Sequence, residues 1–182
     1  PALIDLLLSH ADALGRCRIG HTAPGDPPPT FVGYLALRAS PAVIDLVRAR
    51  SDGAPLITAA LIELLSSEPY YTADTLPALI AAAPTADLRD AQGVPLFVHA
   101  VLKARTEWVR LILPKASAAA CLTARAQLAG EWGSREFPAG IDARQAAALA
   151  IAGIEEAQAT RGHAPWRAAQ IETIRDNVAL LP

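Results

Sequence analysis

Apolar residues recur along this chain at the three- and four-residue spacing of amphipathic helices, with charged residues between them. Across 42–50, Val43, Ile44, Leu46 and Val47 form one such set and leave Asp45 and Arg48 for solvent. Pro41 stands at the first helical position, where its missing N–H removes no bond. Upstream, Phe31, Val32, Leu35 and Ala39 predict a helix over 30–39, joined to the next by Ser40 alone, so the two should be antiparallel neighbours. Ser51-Asp52-Gly53 signals a turn, and Pro55 opens a longer helix over 55–65. The stretch 66–74, with Pro69, Tyr70 and Tyr71, reads as an irregular exposed loop before a helix over 77–83. Helices follow over 95–104 and 106–113, the second stopped by Pro114. Beyond it the pattern predicts a helix over 117–129 and a loop over 130–140. A helix runs from N-cap Asp142 to about Thr160, Arg161-Gly162 stops it, and a final helix covers 165–181.

These elements repeat. Pro1-Ala2-Leu3-Ile4-Asp5-Leu6-Leu7 returns forty positions later as Pro41-Ala42-Val43-Ile44-Asp45-Leu46-Val47. The phrase returns again, worn down, from Pro77 and from Thr106. Gly53-Ala54-Pro55-Leu56-Ile57 matches Gly93-Val94-Pro95-Leu96-Phe97 at the same spacing. A period between about 20 and 50 residues marks a stacked repeat. One helix pair buries about four to six large side chains at roughly 1.5–3 kcal/mol each, whereas ordering about 30 residues costs roughly 1–2 kcal/mol apiece. Such a unit needs neighbours that share its apolar face. At the start of the chain Leu3, Ile4, Leu6, Leu7 and Leu8 lack an upstream partner, and there is no methionine. A fragment or processed product without its leading helix, or a partner chain over this face, is therefore expected.

Asp90-Ala91-Gln92-Gly93-Val94-Pro95-Leu96-Phe97-Val98-His99-Ala100, followed by Glu107-Trp108-Val109-Arg110-Leu111-Ile112-Leu113, resembles a degenerate ankyrin repeat. Leu6-Leu7-Leu8-Ser9-His10-Ala11-Asp12 resembles the helix end and exit of the same family. The chain departs from the family pattern at Pro95-Leu96-Phe97-Val98, at Asp26-Pro27-Pro28-Pro29 and in its spacing, which ranges from 40 to 29 residues. The resemblance implies an all-α, ankyrin-like helical solenoid of about three and a half repeats over residues 1–115. Residues 116–182 would form a C-terminal helical cap. It also implies a protein partner held by the finger loops and the first-helix face. Carried over residue by residue, the contact positions are Ala91, Gln92, Val94, Leu102 and Lys103 in the third unit, and Asp52, Ala54 and Glu63 in the second.

Composition supports helices over strands, since 52% of the 182 residues are hydrophobic but only 5% aromatic, and much of the apolar content is alanine. With a net charge of −2 and no basic run, nucleic acid and anionic membranes are not expected partners. The longest apolar stretches, 78–83 and 146–154, fall short of a bilayer span. Pro1-Ala2-Leu3-Ile4-Asp5 carries no basic leader before its apolar run, so it does not read as a signal peptide. Cys17 and Cys121 lie in unlike contexts and are expected as reduced thiols in a cytoplasmic setting.

Candidate chemistry is sparse. His10, Cys17 and His21, with Asp12 or Asp26, match no common zinc spacing, so no metal or cofactor is expected. His99 reads as a packed or hydrogen-bonded histidine. Glu63, Glu68, Glu136, Glu155 and Glu156 are separated along the chain, and Ser134 lacks the glycine pattern of a nucleophile elbow. No enzymatic activity is expected; were there one, a site around 132–135 would carry it. Trp108 reads as core. Tyr70, Tyr71, Trp132 and Phe137 either fold back or offer a hydrophobic anchor to a partner. Richness in alanine and arginine with few lysines points to a high-GC bacterial source, where such a protein would act as a binding module, a toxin-neutralising inhibitor or a secreted effector.

Overall fold

The computed structural model describes residues 31–37, 39–66, 75–85, 87–103, 106–130 and 132–182. The described chain is mainly helical with one two-stranded sheet, and it forms two compact units that divide at Pro84 and Thr85. The helix pair that carries the ankyrin-like motif therefore shares a unit with the C-terminal segment.

The first unit holds α1 (Phe31–Leu37), α2 (Pro41–Arg48), α3 (Gly53–Ser66) and α4 (Leu76–Ala82). Ser40 caps α2 by accepting from the Val43 N–H, and Pro41 follows it in the first turn. Ile44 and Val47 are buried, but Leu46 turns out to solvent with Asp45 and Arg48. The apolar stripe of α2 is thus narrower than the sequence suggested. The main partner of α1 is α3, not α2, because Ser40 is extended (φ −68°, ψ 155°) and carries the chain away before α2 begins. Gly53 starts α3 where a Cβ would lie 1.9 Å from the Val47 carbonyl oxygen, so no other residue fits. Leu35, Ile44, Val47, Ile57, Leu61, Leu76 and Leu79 fill the core. Buried Thr75 donates its hydroxyl to the Ala36 carbonyl and fixes the entry to α4.

The second unit is built around α5 (Leu96–Lys103), whose residues 96–102 are all buried. A helix covered on every side needs several partners, and α5 has three: α6 (Thr106–Ile112), α7 (Ala143–Arg161) and α8 (Pro165–Ala179). A 3-10 turn, Leu113–Lys115, ends α6 at Pro114. Asp142 and Gln145 form a reciprocal capping box at the start of α7. One face of α7, from Ala143, Ala146, Ala147, Ala150, Gly153 and Ile154, is small and buried, which lets neighbours approach closely. At the far end of α5, where carbonyls lack helical partners, Asn177 Nδ2 donates to the Val101 carbonyl at 3.0 Å and Gln170 Nε2 to that of Leu102 at 2.9 Å.

The segment 117–137 corrects the all-helical expectation. In place of a helix over 117–129 and a loop beyond it, β1 (Ala126–Gly130) pairs antiparallel with β2 (Gly133–Phe137), with Gly130 opposite Gly133 and Ala126 opposite Phe137. Ala126, Leu128 and Phe137 face inward while Gln127, Ala129, Ser134 and Glu136 face solvent, the period of two that defines a half-buried hairpin. Trp132, just ahead of β2, is buried and meets Phe137 edge to face, ring centroids 6.3 Å apart. This loop folds back on its own unit. Trp108 is half-buried on α6.

Candidate protein-interaction site

The ankyrin-like motif folds into a tight finger turn. The Asp90 N–H donates to the Val94 carbonyl, and the Gly93 N–H to that of Asp90, each at 3.0 Å. Gly93 has a φ of 78°, the left-handed region that favours glycine. Asp90 Oδ1 accepts from the N–H groups of Gln92 (2.8 Å) and Val94 (2.9 Å), and its Oδ2 lies 2.8 Å from His99 Nε2 on α5. The Asp90 and His99 side chains are only 8% and 2% exposed. Burial pushes the Asp90 carboxyl up, but the bonds from His99, Val94 and Gln92 and the charge of His99 outweigh it and hold it below the usual carboxylate range.

The finger is also fastened from outside. Arg89 Nη1 donates to the carbonyls of Gly93 and Cys121, both at 2.8 Å, and Asp87 accepts from the Ser117 N–H. Gln92 Oε1 accepts from the Gln127 N–H of β1 at 2.9 Å. Beside the turn, Asp87, Leu88, Arg89, Pro95, Phe97, Ser117 and Ala120 line a half-open pocket of about 260 Å³.

The expected contact residues fall into three groups. Ala91 and Gln92 stand exposed on the finger, and Ala54 and Glu63 are exposed on α3. Asp52 is half-buried and paired with Arg50 at 2.8 Å, while Lys103 is half-buried in the last turn of α5. Val94 and Leu102 have no accessible surface: their side chains belong to the core and offer nothing to a partner. For Leu102, outward placement holds for a helix with one solvent face, and residues 96–102 of α5 have none; Val94, ahead of the helix, is drawn in by the turn, where Asp90 accepts from its N–H.

Comparison of the chain with family models, with curated proteins and with solved structures gave no match.

The remaining candidates disperse. Glu136 pairs with Arg125 at 2.9 Å, Glu156 with Arg135, and Glu155 with Arg175 at 3.7 Å, three separate surface pairs with no shared cleft. Ser134 Oγ accepts from Gln127 Nε2 at 2.7 Å across the hairpin. Among the described residues no group of three His, Cys, Asp or Glu is placed to hold a metal ion, and no helix is long and apolar enough to cross a membrane. Cys121 is a half-buried free thiol. The N-terminal phrase 1–7, the set His10, Asp12, Cys17, His21 and Asp26, and Glu68, Pro69, Tyr70 and Tyr71 lie outside the described residues.

Sequence reasoning missed Asp87, Arg89 and the Asp90–His99 bond. The signal for the last was present, since an aspartate three residues before a turn glycine needs a second partner once its outer oxygen is buried.

Proposed function

We propose that this chain is a protein-binding module of ankyrin-like helical repeats that engages its partner through the finger turn at Asp90–Gly93. The observation that carries the reading is the dense hydrogen bonding of an otherwise exposed loop. Asp90 satisfies two N–H groups of its own turn, His99 anchors Asp90 from the core, and Arg89 and Gln92 tie the turn to 121 and 127. Loops ordered this heavily lose little entropy on binding, so a preorganised tip converts more of its contact energy into affinity. Ala91 and Gln92 provide the contact from this turn, and Ala54 and Glu63 provide it separately on α3. A reducing, cytoplasmic setting with Cys121 as a thiol belongs to the same proposal.

Site-specific photocrosslinking tests the reading. A benzophenone side chain at Ala91 in the producing cell should give a discrete protein adduct that excess unlabelled protein competes away. The same probe at Ala152, exposed on α7, should not. Indistinguishable patterns from the two positions would remove the finger as a docking element.

A further inference from the structure

Next to the finger the chain makes a single antiparallel bridge, Arg89 opposite Pro95. The Leu96 N–H donates to the Leu88 carbonyl at 2.8 Å and the Asp90 N–H to that of Val94 at 3.0 Å. In that antiparallel pattern the residue between the bonded pair turns its own N–H and C=O away from the partner strand. Among the described residues neither main-chain group of Arg89 has a partner. Pro95 has no N–H, and the ladder ends after one bridge. The result is a short strand edge with an unspent donor and acceptor.

The pocket of about 260 Å³ lies beside this edge. Its apolar lining comes from buried Pro95 and Phe97 with half-buried Leu88 and Ala120, while exposed Asp87, Arg89 and Ser117 form its polar part. An apolar cavity of about 150 Å³ already accommodates a benzene ring, so this one has room for a phenylalanine or leucine side chain. Asp87 and Arg89 are of opposite sign and two residues apart, so they cancel and give no preference for a charged side chain.

We infer that the pocket receives one large apolar side chain of an extended peptide segment in the protein partner, whose main chain pairs with the N–H and C=O of Arg89. The inference rests on the protein-binding reading and specifies its occupant. The edge requires a ligand with N–H and C=O in extended register, which is a peptide unit, and the floor requires an apolar side chain on that same residue. Strand addition gives affinity through the main chain and selectivity through a side-chain pocket.

The test is an amide-resolved NMR titration of the whole chain with N-acetyl-phenylalanine methylamide, N-acetyl-alanine methylamide and free phenylalanine. The capped phenylalanine should move the Arg89, Phe97 and Ala120 amides and bind at least about tenfold more tightly than the capped alanine, because a phenyl ring buries more apolar surface than a methyl group. Ala120→Phe, filling the pocket from its wall, should abolish the response while leaving the remaining spectrum in place. Shifts that are absent or scattered overturn the inference. Tighter binding of free phenylalanine overturns it as well, by making the ligand a zwitterion held between Asp87 and Arg89. A silent pocket with an intact crosslink at Ala91 defeats this inference alone. A responsive pocket with no adduct at Ala91 defeats the protein-binding reading and the assignment of the occupant to a protein with it.

Discussion

His99 Nε2 and Asp90 Oδ2 meet 2.8 Å apart, joining the core helix α5 to the finger turn nine residues earlier. The bond is nearly closed to water, and the other Asp90 oxygen holds the turn's own N–H groups. One carboxylate therefore couples the stability of the second unit to the shape of its exposed tip.

Truncating that carboxylate should be costly. Asp90→Ala leaves the Gln92 and Val94 N–H groups and the His99 Nε2 without their acceptor, and breaking a buried pair from one side costs about 3 kcal/mol or more. Asp90→Asn keeps an acceptor oxygen and should cost clearly less. All three tryptophans, Trp108, Trp132 and Trp166, lie in the second unit, so urea titration followed by tryptophan fluorescence reports it selectively. Equal midpoints for Asp90→Ala and the wild type would show that the bond contributes nothing.

Acid should weaken the same unit in a definite direction. The folded Asp90 carboxyl lies below its unfolded value of about 3.9, so at low pH the unfolded chain binds the extra proton and stability rises with pH. The contribution is complete above the unfolded value and disappears as pH falls through the folded one. Thermal melts followed by tryptophan fluorescence between pH 6 and pH 3 should show a steeper acid loss for the wild type than for Asp90→Asn. Asp52, lowered chiefly by its hydrogen bond from Arg50, lies in the first unit and does not enter this signal. Parallel acid slopes for the two proteins would contradict the assignment.

The helices were legible because periodicity and caps agree. Pro41, Pro77 and Thr106 each stand in the first turn of a short helix (α2, α4 and α6), and Asp142 caps α7 as expected. The Gly53 and Gly93 phrases show where legibility stops. They are alike in sequence, but Gly53 is the first residue of a helix packed on Val47, while Gly93 is a left-handed turn residue ahead of one. Only the neighbouring chain decides which. Helical propensity likewise misled over 117–129, where alanines favour a helix but Gly130 pairs with Gly133 in a hairpin. A Cβ at Gly130 would lie 2.5 Å from the Trp132 ring, so the buried tryptophan, a tertiary feature, selects the hairpin. The motif pointed to the turn on which Ala91 and Gln92 stand exposed. Arg89, Asp87 and the pocket were not readable from it, since they arise where residues 117–121 return to the finger.

The hairpin's seat on α7 should tolerate no side chain at Gly153. A Cβ there would stand 2.7 Å from Arg135 Nε and 2.8 Å from Trp132 Cβ. The arginine can shift, but the Trp132 Cβ is fixed by its buried ring, so Gly153→Ala forces the hairpin off the helix at a cost of about 3 kcal/mol, the upper end of what overpacking usually costs. This outweighs the gain in helix propensity that alanine brings, about 1 kcal/mol. Gly133→Ala meets no atom within 4 Å and suffers only from its φ of 80°, about 1 kcal/mol. Fluorescence-detected unfolding should rank Gly153→Ala as the less stable of the two, and the reverse order would show that α7 and the hairpin are not in firm contact.

The last turn of α5 offers the sharpest test of how the C-terminal helix holds the finger's support. Asn177 has no accessible surface, and its Nδ2 supplies the bond that the Val101 carbonyl cannot find within its own helix. Asn177→Leu preserves volume but leaves that carbonyl buried and unbonded, a penalty of about 1–3 kcal/mol. Asn177→Asp is worse, because it removes the donor and buries a charge facing a carbonyl oxygen. Gln170→Leu deletes the neighbouring bond to Leu102 from a half-buried position that water reaches, so it should cost about 1 kcal/mol or less. The order of unfolding midpoints is then wild type, Gln170→Leu, Asn177→Leu and Asn177→Asp. Because α5 also carries His99, the two Asn177 variants should speed hydrogen exchange at the Gln92 and Val94 amides of the finger, which precede the opposite end of that helix. Faster exchange confined to 170–182 would instead mean that α8 frays without passing its loss through α5.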